Sequence, residues 1–165
     1  MNIFDFSLCL LLSFSGISKL IYYKNTIATM KRIEVFPDKY VNYIAIILPI
    51  FELTQAIILI IKNNIVTQVL IIGYLLFFIL LNLKTYIGGE KKECCCYGKF
   101  LKSKLGLGGL FHYLYWLIII ICSIIVESSQ IFQYQFEKNT CCFYLIGICI
   151  VINGLVIRLL IESAE

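Results

Sequence analysis

The sequence predicts an all-α, polytopic membrane helical bundle, and three observations carry that prediction. Hydrophobic residues make up 61% of the 165 and charged residues only 15%, more apolar surface than a water-soluble domain of this size can hide. Five apolar stretches approach the roughly 20 residues that an α-helix needs to cross a ~30 Å hydrocarbon layer. The longest polar stretch, Ile87 to Gly109, spans only 23 residues, so a single integral membrane domain covering 1–165 is expected, with no soluble domain and no internal repeat.

The spanning helices are expected over about 5–23, 41–61, 65–86, 110–127 and 142–161. Lys62, Asn63 and Asn64 alone separate the second from the third, which predicts a tight antiparallel hairpin rather than one overlong helix. The opening MNIFD carries no Lys or Arg and no small-residue cleavage site follows the first apolar run, so that run is expected to stay as a helix rather than leave as a signal peptide.

Five spans place the 24–40 loop, the 87–109 loop and the C-terminal tail on one membrane face, here the first face. Lys24, Lys31, Arg32, Lys39, Lys84, Lys91, Lys92, Lys99, Lys102 and Lys104 lie there, against Lys62 and Lys138 on the second face. The positive-inside rule makes the first face cytoplasmic. Tyr22, Tyr23, Tyr40, Tyr43, Tyr86, Tyr113, Tyr115 and Trp116 border the same face and are expected to anchor the helices in the interface.

Two constellations carry chemistry. The first is CCCYG at 94–98, on the polar loop between the third and fourth spans. Lys91, Lys92 and Lys99 flank it, and nearby positive charge raises the thiolate fraction that attacks disulfides or binds soft metals. Cys94 and Cys96 are the natural pair, since a Cys-x-Cys spacing avoids the strained bridge between adjacent residues and Gly98 lets the chain turn back. Palmitoylated or inert thiols are the bland alternative. Cys9, Cys122 and Cys149 fall within spans, where a cysteine is usually a small packing residue; Cys141 and Cys142 form a vicinal pair at the start of the fifth.

The second constellation is charge inside the membrane. Glu52 lies about ten residues, or ~15 Å, into the second span. A carboxylate at a helix centre costs about 2.5–3.5 kcal/mol on insertion scales, so it faces the bundle, stays protonated or pairs with a base. Lys19, about one turn from the first-face end of helix one, either bends inward to Glu52 or snorkels out to the headgroups. Gln55 falls on the same helical face as Glu52, where it can bond a neighbour or a polar ligand headgroup. Pro49 opens the backbone ladder just before Glu52, and Ser15 and Gly16 permit close helix packing.

FSGISKL at 14–20, LPIFEL at 48–53 and CCCYG at 94–98 together resemble the methylamine-utilisation MauE family and the broader DoxX-like membrane proteins. In these, a Ser-Gly-x-x-Lys-Leu helix, a Leu-Pro-x-x-Glu helix and a Cys-Gly-Cys-Phe-Gly loop occur in that order. The resemblance covers about residues 5–127 and marks Ser15, Gly16, Lys19, Pro49, Glu52, Cys94, Cys96 and Gly98. It implies a four-helix DoxX-like core, with the fifth C-terminal helix outside the pattern, in a bacterial plasma or inner membrane. It also implies thiol–disulfide redox, or help in disulfide formation, for a disulfide-containing or thioredoxin-like partner, as in methylamine dehydrogenase maturation. In that role Cys94 and Cys96 are the redox pair, and a membrane quinone is a candidate electron acceptor near Glu52, Lys19 and Gln55. Cys95 replaces the family glycine and Tyr97 its Phe. The resemblance puts the cysteines on the outer side, whereas the basic loops put them inside.

Other classes fare less well. Clustered thiolates at Cys94–Cys96 can bind Cu(I) or Zn(II), but His112 is the only histidine and Met1 and Met30 the only methionines. His112 is expected to serve structurally at the interface. A non-catalytic assembly factor fits the thiol pattern nearly as well as an enzyme. Asn82, Asn153 and Arg158 are too scattered along the sequence to outline a channel or transporter path. Nucleic acid is not an expected partner: the net charge of +4 sits at loop ends, and GLGG at 106–109 follows no predicted strand and is expected to be a flexible entrance to the fourth span.

Overall fold

The computed structural model describes residues 2–34, 36–61, 64–88, 93–94, 103–104, 106–128 and 140–164. Among them are six helices, α1 (Ile3–Ile21), α2 (Tyr23–Ile33), α3 (Asp38–Ile61), α4 (Ile65–Ile87), α5 (Leu107–Ser128) and α6 (Thr140–Ala164), with a short strand pair between α4 and α5. Five of the helices, all but α2, are long and apolar enough to cross a membrane. Lys62 and Asn63 of the predicted hairpin turn lie outside the described residues; Asn64 caps α4, its side chain accepting from the Thr67 amide at 2.9 Å.

The molecule is apolar outside and partly polar within. Ile46, Ile47, Ile50, Ile57, Ile60, Val69, Leu80, Ile118, Ile125 and Leu160 are exposed, whereas Asp5, Lys19, Glu52, Gln68, Asn82, His112 and Arg158 are buried. That inversion is stable only with lipid as the surrounding solvent, because a bilayer satisfies apolar surface and penalises polar groups.

The chain's own start is well secured. Asn2 and Asp5 form a reciprocal capping box on α1, which satisfies two amide donors that a helix start leaves orphaned. Ser123 of α5 donates to the Asp5 carboxylate, and Asn2 Nδ2 donates to Ser123 Oγ at 3.0 Å. On the same face Gln68 of α4 donates to Glu127 of α5 at 2.6 Å. Within the bundle α1 is central: 56% of its apolar core is buried, against 17% for α6, and it touches α3, α5 and α6.

Helix α2 occupies residues that the sequence reading leaves as a loop, 24–40. Its pattern is amphipathic but too short and polar to span: Thr26 and Thr29 are buried, while Lys24, Ala28, Lys31 and Arg32 face outward. Thr26 Oγ1 bonds the Lys19 carbonyl at 3.3 Å and ties α2 to the end of α1. The helix ends at Glu34, whose left-handed φ of 55° turns the chain toward Pro37 and α3.

Two further expectations are corrected. Tyr40, Tyr43 and Tyr86 are exposed as interfacial anchors should be, but Tyr113 and Trp116 are buried, 6% and 0% exposed, because they lie on the α5 face that meets α4 and α6. The GLGG stretch is a packing surface rather than a flexible entrance. Gly106 carries a φ of 148°, which a residue with a side chain rarely adopts, and its amide donates to Asn82 Oδ1 at 3.4 Å.

Gly16 sets the spacing of α1 and α3. A Cβ there would stand 2.9 Å from Leu53 Cγ and 3.0 Å from the Pro49 carbonyl oxygen. Replacing Gly16 by Leu is therefore expected to push the helices apart at a cost of about 1–3 kcal/mol, seen as a lower midpoint in detergent-driven unfolding. An unchanged midpoint would mean that the contact can relax freely.

Candidate functional site

The close α1–α3 approach brings two intramembrane charges together. Glu52 lies 14 residues along α3 from Asp38, where the chain enters from the first face, and is 0% exposed. Lys19 lies in the last turn of α1 and is 3% exposed. The lysine bends inward rather than snorkelling: its Nζ forms an ion pair with Glu52 Oε1. Tyr74 of α4 donates to the same oxygen, and Ser15 Oγ does so at 3.3 Å. Lys19 Nζ also donates to Tyr74 Oη at 3.3 Å and lies 5.5 Å from the centre of the Phe78 ring. Three donors on one carboxylate oxygen, with aromatic rings around the ammonium, give the buried charges the compensation that low-dielectric surroundings demand.

The other half of the site is less complete. Glu52 Oε2 and Gln55 Oε1 are buried and have no hydrogen-bond partner among the described residues. Gln55 follows Glu52 by three residues, so both lie on one face of α3, as their spacing predicts. Pro49 is buried within α3, one turn before Glu52, with its carbonyl against Gly16.

A second buried polar group adjoins the first. Tyr113 of α5 stacks on Phe78 with ring centres 5.0 Å apart. Arg158 Nε is 2.8 Å from Glu162 Oε1, one turn along α6, and the two side chains are 1% and 8% exposed. His112 is fully buried rather than interfacial, with Nδ1 3.1 Å from the Gly154 carbonyl. Sequence separation concealed Arg158: it stands 106 residues from Glu52 in the chain, and only the fold buries it within the bundle. The available signal was an arginine inside an apolar run, which by itself marks a site in a membrane helix.

Of the cysteine motif, the structure describes only Cys94. Cys94 is in strand β1 (Glu93–Cys94), which pairs antiparallel with β2 (Ser103–Lys104) in the register Cys94 to Ser103. The hairpin connects α4 to α5, and β2 lies against α5 and α6. Cys95, Cys96, Tyr97 and Gly98 lie outside the described residues. Cys9, Cys122, Cys142 and Cys149 are free thiols in helices, and Cys9 Sγ donates to the Ala56 carbonyl at 3.6 Å. Among the described residues no group of three or more His, Cys, Asp or Glu side chains is disposed to hold a metal ion.

Fold and site together define a polytopic helical membrane protein with a buried Lys–Glu pair at the meeting of α1, α3 and α4. The chain belongs to the MauE family: residues 1–126 match the family described as Methylamine utilisation protein MauE. No curated protein and no solved structure gives a significant match. The family match covers Lys19, Glu52, Gln55, Tyr74, the cysteine motif and Tyr113, and ends before α6 begins.

Proposed function

We propose that this chain is a membrane thiol–disulfide redox protein, in the bacterial plasma membrane, in which Cys94 and Cys96 cycle between disulfide and dithiol to support disulfide formation in a partner protein. The family's description ties the pathway to methylamine utilisation, with a disulfide-containing or thioredoxin-like partner as the substrate. Oxidising the partner transfers two electrons and two protons to the Cys94–Cys96 pair, so reoxidation must remove the same. A lipid quinone, when bound, supplies that two-electron acceptor. The residues present fit its hydroxyl-bearing reduced form, since Glu52 Oε2 and Gln55 Oε1 are two buried acceptors awaiting donors. Lys19, Tyr74 and Ser15 hold Oε1 of Glu52, leaving Oε2 to hold or hand on a proton.

The single observation that carries the reading is the buried Lys19–Glu52 pair, positioned by α1, α3 and α4 on the hairpin side of the bundle. The test is thiol labelling in intact cells with a membrane-impermeant maleimide, in a variant retaining only Cys94 and Cys96. Labelling that requires prior reduction supports an oxidised pair on the outer face. Labelling that requires lysis places the loop in the cytoplasm, where thiols are kept reduced, and overturns the proposal.

A further inference from the structure

Helices α3 and α4 follow one another in the chain, yet they do not pack along their lengths: α3 lies chiefly on α1, and α4 chiefly on α5. At the depth of Glu52 the two are bridged by side chains. Tyr74 reaches from α4 to donate to Glu52 Oε1 and accepts from Lys19 at 3.3 Å. Its ring lies 5.9 Å from that of Phe51 on α3 and 4.9 Å from that of Phe78. Tyr74 and Phe51 are half-buried, whereas Glu52 is 0% exposed. Beside the tyrosine, a Cβ on Gly73 would meet nothing within 4 Å. The aromatic lining continues along α4 in Phe77, an exposed ring 6.2 Å from that of Phe36.

We propose that the α3–α4 seam is the lipid-side entrance to Glu52, that the Tyr74 ring closes it, and that it admits a hydroxylated ring with an apolar tail onto Glu52 Oε2 and Gln55 Oε1. Three features select that occupant. The two oxygens belong to side chains more than nine-tenths buried and have no donor among the described residues, so the occupant must bring hydrogen-bond donors. A phosphate headgroup brings negative charge instead and is repelled by the carboxylate. Phe51 and Tyr74 favour a flat ring, because ring faces and edges attract one another. Entry at hydrocarbon depth requires an apolar body. Opening is compatible with the ion pair: when the Tyr74 hydroxyl swings off Oε1, Lys19 and Ser15 still hold that oxygen. A hydroquinone has this chemistry and is the reduced acceptor of the redox reading, on which the ligand assignment rests; the entrance itself does not depend on it.

The test needs no turnover. The full chain in lipid nanodiscs is treated with lipid-soluble dicyclohexylcarbodiimide or with a water-soluble carbodiimide, and peptide mass spectrometry reads activation of Glu52 as the acylurea or as the Lys19–Glu52 amide formed with loss of the urea. The lipid-soluble reagent is expected to label Glu52 faster than the water-soluble one. Tyr74→Ala should speed its labelling by about tenfold, the scale set by losing the contacts of one aromatic ring. Tyr74→Phe, which keeps the ring and loses the hydroxyl, should stay nearer the parent rate. A decyl-substituted benzohydroquinone should protect Glu52, its dimethyl ether should not, and Gln55→Leu should raise the concentration for half-protection about three- to tenfold, as for one lost hydrogen bond. Equal labelling by the two reagents, absence of labelling in every variant, or equal acceleration by Tyr74→Phe and Tyr74→Ala would overturn the entrance. Protection by neither compound, or by both alike, would overturn the ligand while leaving the entrance and the cysteine chemistry standing. If Tyr74→Ala does not fold, Tyr74→Leu replaces it, with the same expected acceleration.

Discussion

Lys19→Met should destabilise the protein by about 3–5 kcal/mol, the usual cost of stranding one member of a buried ion pair. Glu52 is 0% exposed, and Lys19 is its only ion-pair partner among the described residues, so its remaining hydrogen bonds come from the neutral Tyr74 and Ser15. Glu52→Gln should cost less. Lys19 stands in the last turn of α1, from which a freed four-carbon side chain can turn out to the headgroups, whereas Glu52 lies deep in α3 and has no such exit. The double variant Lys19→Met/Glu52→Leu should recover most of the loss, because it removes both desolvation penalties together. Equilibrium unfolding in mixed micelles measures all three. A cost for Lys19→Met below about 1 kcal/mol, as for a solvated surface pair, would show that water reaches the carboxylate and that the pair is not insulated.

The second large effect concerns turnover. Under the proposed function, Cys94→Ser and Cys96→Ser should each reduce oxidation of a dithiol reporter protein to background in liposomes supplied with quinone, while Cys95→Ser should retain it. Glu52→Gln should lower the rate by about 10²-fold or more, in the range expected for loss of a positioned proton donor or acceptor, while the protein stays folded. Retained turnover in the double Cys94→Ser/Cys96→Ser variant would remove the thiol mechanism altogether. A loss confined to Glu52→Gln, with both cysteine variants active, would leave the membrane carboxylate as the working group and separate it from the hairpin.

Much of this was readable from residue order. Apolar runs of spanning length predicted the helices to within a few residues, because only hydrogen-bonded helices of about 20 residues satisfy the backbone in lipid. Glu52 stood out by its cost in an apolar run, and Lys19 was the nearest base able to meet it. The choice between inward pairing and outward snorkelling was not readable, since a lysine one turn from a helix end can do either. It was decided by Gly16, which lets α1 approach α3 closely, and by Tyr74, which faces the pair from α4. Helix α2 is not among the predicted spans because its amphipathic pattern, with Thr26 and Thr29 inward and Lys24, Lys31 and Arg32 outward, covers only 11 residues and is too polar to partition into lipid.

Membrane residence, the number of spans, the sided distribution of basic residues and the identity of the central carboxylate all follow from local composition and spacing, for these depend on how each segment partitions into lipid. Which helices touch, and therefore which charges compensate one another, depends on contacts between segments far apart in the chain. Tyr113 and Arg158 illustrate it: the first is expected at the interface and the second stands far along the chain, yet both are buried in the bundle, Tyr113 stacked on Phe78 and Arg158 paired with Glu162. Glycines at 16, 108, 147 and 154 set how closely the helices approach, and at those distances a lone charge in the bilayer finds its counter-charge, as Lys19 does in Glu52.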